Sequence, residues 1–306
     1  MVLYTSDWQC HLKTTLRPLL AFFSFIRVAN YSFFAMLLIG PSKRAAALRA
    51  VKATTFAYRA AATTAVNGNI DATKTVVHRT TSPRPKVPIE QLAFGRTFTD
   101  HMLSVDWTAG GGWQAPQITP FGDLSLSPAC VALHYGLQCF EGMKAYKDAQ
   151  GRVRLFRPDC NMQRLNYSMQ RLAMPAFDGD AFVACLKQLL RLDADWIPSQ
   201  EGYSMYIRPT AIATAPYLGV HASDQVKLFA ILSPVGPYFK DGFKPVKLYA
   251  DTDNVRAWPG GVGNAKVGGN YGPAILPAEQ AKQHGYVFSP RSFDGLKRSQ
   301  PRARPH

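Results

Sequence analysis

From residue 90 to residue 286 the apolar side chains fall into short periodic blocks, and the period changes from block to block. In CNMQRLNYSMQRLAM the large apolar residues Met162, Leu165, Met169 and Leu172 recur every three or four positions, which predicts an amphipathic helix. FVACLKQLLRLDADWIP repeats that spacing and predicts a second helix, ended near Pro198. RVRLFRP alternates, as a half-buried strand does. SMYIRPTAIAT, VKLFAILSPVG and VKLYADT are rich in β-branched, leucine and aromatic residues and predict three more strands. SLSPACVALHYGLQCFEGMKAY follows a turn-rich segment and runs through small and aromatic residues to a strand-like end. Helices and strands mixed in this order predict an α/β (α+β) body. A length of 306 residues suggests about two domains.

Charge divides the chain differently. The net charge is +15, but residues 1–89 carry +10 of it and residues 287–306 carry +4, which leaves a near-neutral centre. The basic ends hold no groove-reading motif, so nucleic acid is not an expected partner. From Trp8 to Ile70 there is no acidic residue, and KRAAALRAVKATTFAYRAAATTAV has the Ala, Thr and Arg bias of a mitochondrial presequence. The apolar stretch from Leu16 to Ile39 raises a membrane span as an alternative, but Arg27 and Asn30 near its centre weigh against it. TTSPRPKVP then predicts an unstructured linker over residues 71–89. The five cysteines are scattered, with no C-x-x-C pair and no His/Cys spacing for zinc, so neither a metal site nor a disulfide framework is expected. Cys139, beside Phe140, is expected to be a small buried hydrophobe.

The candidate chemistry lies in GGVGNAKVGGNYGP, residues 260–273, where Lys266 stands alone among glycines. Neither the G-x-x-x-x-G-K-[ST] phosphate loop nor the G-x-G-x-x-G dinucleotide pattern is present. A flexible loop with a solvated lysine is one reading. The other is a reactive amine, since lysine condenses with aldehydes and shifts its pKa readily when desolvated.

The ordered blocks HYGLQCFEGMKAY, LFRPDCNMQRL, SMYIRPT, AILSPVGPYF and VRAWPGGVGNAKVGGNYGP resemble the branched-chain amino acid aminotransferases, fold-type IV enzymes that use pyridoxal 5'-phosphate. The resemblance runs from about Phe94 to Tyr286. It implies that Lys266 is the catalytic lysine that forms the Schiff base with the cofactor. Tyr271 would support the cofactor's phenolic oxygen, and Arg164 would bind its phosphate. Tyr135 and Phe140 would line the space for the aliphatic side chain. Tyr206 and Arg208 would lie near the substrate carboxylate and pocket wall, Tyr238 in the interdomain loop, and Arg256 near the mouth. Each has a plain alternative: the aromatics can be core residues with satisfied hydroxyls, and Arg164 and Arg208 can form structural ion pairs.

The implied reaction transfers the amino group of leucine, isoleucine or valine to 2-oxoglutarate, giving 2-oxo acids and glutamate in branched-chain amino-acid biosynthesis. Small amino and 2-oxo acids are the implied partners, with a homodimer if the protein is complete. The family's large domain continues well past the lysine, and its glutamate facing the pyridine nitrogen lies in that later part. Here the chain turns after AEQAKQHGY into a Ser-, Pro- and Arg-rich tail. The expected layout is a leader with mitochondrial-type presequence and linker over 1–89 and a small α/β domain over 90–236. An interdomain loop follows over 237–245, then the start of the lysine domain over 246–286 and a disordered basic tail over 287–306. Matrix localisation after presequence removal is expected. A truncated product without catalysis, or a related enzyme such as a D-amino acid aminotransferase, is the alternative.

Overall fold

The computed structural model describes residues 69–237, 247–249 and 254–288, all within one compact unit, Ala65–His306. In chain order its strands and helices begin with β1 (Val76–Val77), β2 (His101–Thr108), β3 (Gly112–Trp113) and β4 (Gln117–Pro120). There follow α1 (Val131–Tyr135), β5 (Gln138–Phe140), β6 (Met143–Lys147), β7 (Val153–Leu155), α2 (Pro158–Arg171) and α3 (Gly179–Leu192). The rest are β8 (Ser204–Ala213), β9 (Gln225–Val235), β10 (Leu248–Tyr249), α4 (Ile275–Gln283) and β11 (Val287–Phe288).

The mixed α/β architecture follows from the two periods in the sequence. β8 and β9 pair antiparallel over their full length, from Ser204↔Val235 to Ala213↔Val226, and alternate buried with half-buried residues. They centre a nine-stranded sheet of order β1-β4-β2-β9-β8-β6-β7, with β3 on β2 and β5 on β8. In α2 the residues Met162, Leu165 and Met169 are buried; in α3 they are Phe182, Val183, Cys185, Leu186, Leu189 and Leu190. The two helices pack on each other and on the sheet. Burying one such side chain stabilises the fold by about 1.5–3 kcal/mol.

The helix ends explain the boundaries. Asp178 caps α3 by accepting from the N–H groups of Asp180 and Ala181. α2 begins with Pro158 at its first position, where a missing N–H costs nothing. It ends in a six-residue wrap: Ala173 N–H donates to Gln170 O at 3.0 Å and Met174 N–H to Met169 O at 2.9 Å. Ala173 takes φ 53° to close it.

Two segments hold more structure than their composition predicts. The expected linker contains a 3-10 turn at Ala72–Lys74 and β1, which pairs parallel with β4. Beyond it, Thr80 N–H donates to His101 Nε2 and Arg84 N–H to Asp100 Oδ1. These attachments are made by backbone and polar groups, so they leave no hydrophobic period in the sequence. Likewise Val287–Phe288, at the start of the expected tail, pairs parallel with Leu248–Tyr249. The proposed presequence, the apolar stretch over 16–39 and Tyr238 lie outside the described residues. Among the described residues no helix is long and apolar enough to cross a membrane.

Candidate active site

Lys266 is fixed by its backbone before its side chain does anything. Its N–H donates to Ser168 Oγ on α2 at 2.8 Å, and its carbonyl accepts from Phe140 N–H on β5 at 3.1 Å. The neighbours Ala265 and Val267 are buried, and Val267 bridges Cys139. The surrounding glycines serve close approach. A Cβ on Gly263 would fall 2.3 Å from Ala257 Cβ, and one on Gly268 would fall 2.7 Å from the Gln138 side chain. Buried Asn270 braces the turn by donating to the carbonyls of Val262 and Ala265, each at 2.9 Å. This is a packed turn, and the solvated-loop reading does not hold.

The amine so placed donates to Tyr271 Oη at 3.0 Å and lies 4.5 Å from the centre of the Phe140 ring. Phe140 and Tyr271 are themselves in ring contact at 4.9 Å. Arg208 also lies over the Phe140 ring, its Cζ 4.6 Å from the ring centre. Tyr206 and Arg208 are two apart on β8 and share a face. The Tyr206 hydroxyl accepts from Arg208 Nη2 at 2.9 Å, and Phe94 meets the Tyr206 ring edge-on. Lys266, Tyr271, Phe140, Arg208 and Tyr206 therefore form one continuous chain of contacts.

Arg164, on α2, forks onto Glu141, with Nε–Oε1 at 2.5 Å and Nη2–Oε2 at 2.8 Å. Those hydrogen bonds hold its guanidinium above the ordinary arginine pKa, against burial, with Tyr271 among the further contributors. Its side chain is 54% exposed, while Glu141 is wholly buried. Arg164, Asn161, Cys160, Gly142 and Tyr206 line a cleft of about 420 Å3. Arg256 approaches Tyr271, with Cζ 5.9 Å from the ring centre. Tyr135 is engaged elsewhere, its hydroxyl accepting from Gly219 N–H at 3.1 Å. Cys139 is fully buried, and burial, then Glu141, pushes its thiol up to about 12.

No protein-family model matches the chain. Curated relatives do. The branched-chain-amino-acid aminotransferase of Monosiga brevicollis is 52% identical over 216 residues, 71% of this chain and 55% of the relative. The mitochondrial branched-chain-amino-acid aminotransferase of Saccharomyces cerevisiae is 46% identical over 224 residues, 73% of this chain and 57% of the relative. The matched stretch is similar in sequence to these branched-chain aminotransferases. A solved structure, the branched-chain amino acid aminotransferase from Escherichia coli, is 26% identical with a TM-score of 0.44, covering 60% of this chain and 56% of that one. The chain spans about half the length of the branched-chain aminotransferases it matches. Relatives from this family bear both mitochondrial and cytosolic names.

Among the residues that build this site, sequence reasoning passed over Glu141, Asn161, Ser168 and Asn270. Glu141 sits in the quoted FEGMK block and Asn270 in GGNYGP, so both lay beside residues already singled out. Ser168 carried one further signal, a small polar residue on the otherwise apolar stripe of α2.

Proposed function

We propose that this chain serves the transamination of branched-chain L-amino acids, moving the amino group of leucine, isoleucine or valine to 2-oxoglutarate with pyridoxal 5'-phosphate as cofactor. The observation that carries the reading is the Lys266 amine, pinned through its own backbone and 3.0 Å from the Tyr271 hydroxyl. The residues fit the cofactor: an amine for its aldehyde, a hydroxyl for its phenolic oxygen, and a guanidinium edge on Arg164 for its phosphate. When bound, that cofactor supplies the electron sink that weakens the substrate Cα–H bond.

The chain's own residues do the rest. Lys266 Nζ, hydrogen-bonded to Tyr271, is the group that would accept the substrate Cα proton and pass it on to the carbon that the cofactor would supply, in either half-reaction. Tyr206 and Arg208 receive the substrate carboxylate, and Phe140 shields the amine from water on one side. Tyr238, in the interdomain loop, and Arg256, near the mouth, complete the pocket, while Tyr135, bonded to Gly219 N–H, stands outside it. An apolar pocket separates similar aliphatic side chains weakly, which suits one site to all three substrates. A homodimer is the proposed assembly. The acid-free stretch from Trp8 to Ile70 and the mitochondrial name borne by the yeast relative support import into mitochondria.

Incubation with pyridoxal 5'-phosphate, borohydride reduction and peptide mapping test the core of this reading. The pyridoxyl group is expected on Lys266. Labelling of another lysine, or of none, overturns it.

A further inference from the structure

Glu141 is a carboxylate with no solvent exposure, paired with Arg164 and one residue from Phe140. An ionised carboxylate accepts about four hydrogen bonds. Glu141 receives four: Arg164 Nε at 2.5 Å, Arg164 Nη2 at 2.8 Å, Asn161 Nδ2 at 2.8 Å and Gly142 N–H at 3.1 Å. Its acceptor capacity is thus filled by protein, and no lone pair is left over for a proton in transit or for a ligand. Whatever Glu141 does, it does through Arg164.

The fork decides which part of Arg164 remains usable. Guanidinium has five N–H bonds along fixed directions. Glu141 takes the edge formed by Nε and one N–H of Nη2. The opposite edge, Nη1 and the outer N–H of Nη2, has no hydrogen-bond acceptor among the described residues, and it belongs to a side chain that is half exposed beside a cleft. That edge is a second bidentate donor of the geometry that matches a phosphate. Asn161, one turn before Arg164 on α2, bonds both Glu141 Oε2 and Gly142 O, so the carboxylate cannot swing away.

We infer that Glu141, backed by Asn161, is a positioning residue that turns the free edge of Arg164 toward the phosphate of the cofactor. The inference rests on the reading of a pyridoxal-phosphate site given above. Its physical content is an exchange of charge for direction. Pairing with Glu141 lessens the net attraction of Arg164 for an anion, and it removes the rotamer freedom that would otherwise have to be lost on binding.

The test compares pyridoxal 5'-phosphate with pyridoxal, which lacks the phosphate, on the full chain and on Glu141→Gln. Affinity is read from the absorbance of the lysine-bound cofactor, and the site from reductive labelling. The parent chain is expected to prefer the phosphorylated form. In Glu141→Gln that preference should fall by about tenfold or more, the scale of losing the support behind an oriented ligand-binding group, while pyridoxal still labels Lys266. Asn161→Ala, which leaves the Arg164–Glu141 fork in place, should shift the preference in the same direction by less, and it serves if Glu141→Gln does not fold. An unchanged preference in the variants, or an equal loss for both compounds, overturns the inference and leaves the cofactor reading standing. A parent chain whose Lys266 takes neither compound overturns both.

Discussion

The hydroxyl of Tyr206 fills the space that a side chain on Gly142 would need, since an ideal Cβ at Gly142 would lie 2.1 Å from that oxygen. The hydroxyl is in turn held by Arg208. Gly142→Ala must therefore push Tyr206 off its position, and overpacking of this kind costs about 1–3 kcal/mol. Denaturant unfolding should show that loss. In a Tyr206→Phe background the same substitution should cost less, with a coupling above about 0.5 kcal/mol. Equal costs in both backgrounds would place the clash elsewhere.

Much of the frame was readable in advance where one period dominates. α2 and α3 showed themselves through Met162, Leu165, Met169 and their counterparts, and β8 and β9 through their β-branched, leucine and aromatic composition. β2 did not, because its first core-facing residue is polar: His101 is buried against Asp193 and so breaks the apolar pattern. α4 buries only Pro277 and Ala281 while Ile275 and Leu276 stand exposed, so it has no stripe to read. The site divides in the same way. Lys266 stood out among its glycines and Tyr271, five residues on, came only with the family resemblance, whereas Glu141 and Arg164 meet across 23 residues, from either side of the β6–β7 pair. Side-chain partners brought together by topology leave no local spacing to detect.

The buried pair of His101 and Asp193 ties the segment before β2 to the end of α3. His101 Nδ1 and Asp193 Oδ1 are 2.6 Å apart, and His101 N–H also donates to Asp193 Oδ2 at 3.0 Å. The other ring nitrogen accepts from Thr80 N–H at 2.9 Å, which makes the imidazole neutral with its proton on Nδ1. His101→Ala removes one hydrogen-bond partner from a buried carboxylate and should destabilise the fold by about 1–3 kcal/mol. Hydrogen exchange at Thr80 should accelerate as well. Exchange at Thr80 that matches the parent would show that the segment is held by other contacts.

A pH dependence follows from Asp148. Burial opposes its ionisation, but the Arg152 N–H and the side chains of Arg152 and Arg154 outweigh that effect and hold the carboxyl at about 2. An unfolded aspartate titrates near 3.9, so between about 2 and about 4 the unfolded chain binds more protons than the native one. The stabilisation is present above the unfolded value and is lost as pH falls toward about 2. Melting temperatures of the parent and Asp148→Asn should differ near neutrality and converge over that window. A gap that persists unchanged to about pH 2 would contradict the assignment.

The end of α2 offers a stabilising change. Ala173 closes the helix at φ 53°, a conformation in which a Cβ is crowded by the backbone. Glycine is free of that crowding, and Ala173→Gly should raise stability by up to about 1 kcal/mol. A higher denaturation midpoint with an unchanged m value would be the expected result. A lower midpoint would mean that the alanine methyl group packs usefully enough to offset its strain.

The hydrogen bond from Lys266 N–H to Ser168 Oγ links the helix layer to the reactive amine, and it does so from a fully buried hydroxyl. Ser168→Ala keeps the volume nearly constant and leaves that N–H without its acceptor, at a cost of about 1–3 kcal/mol. The functional consequence is separable from the stability loss. With its backbone held only by the contact to Phe140, Lys266 can rotate its side chain away from Tyr271, which sits five residues further along a different turn. Reductive labelling of Lys266 by pyridoxal 5'-phosphate should slow in Ser168→Ala, at a temperature where both proteins are fully folded. Ser168→Thr retains the hydroxyl and should restore the rate if its extra methyl group is accommodated. Labelling of Ser168→Ala at the parent rate would mean that the Phe140 contact and the Asn270 brace suffice to place the amine.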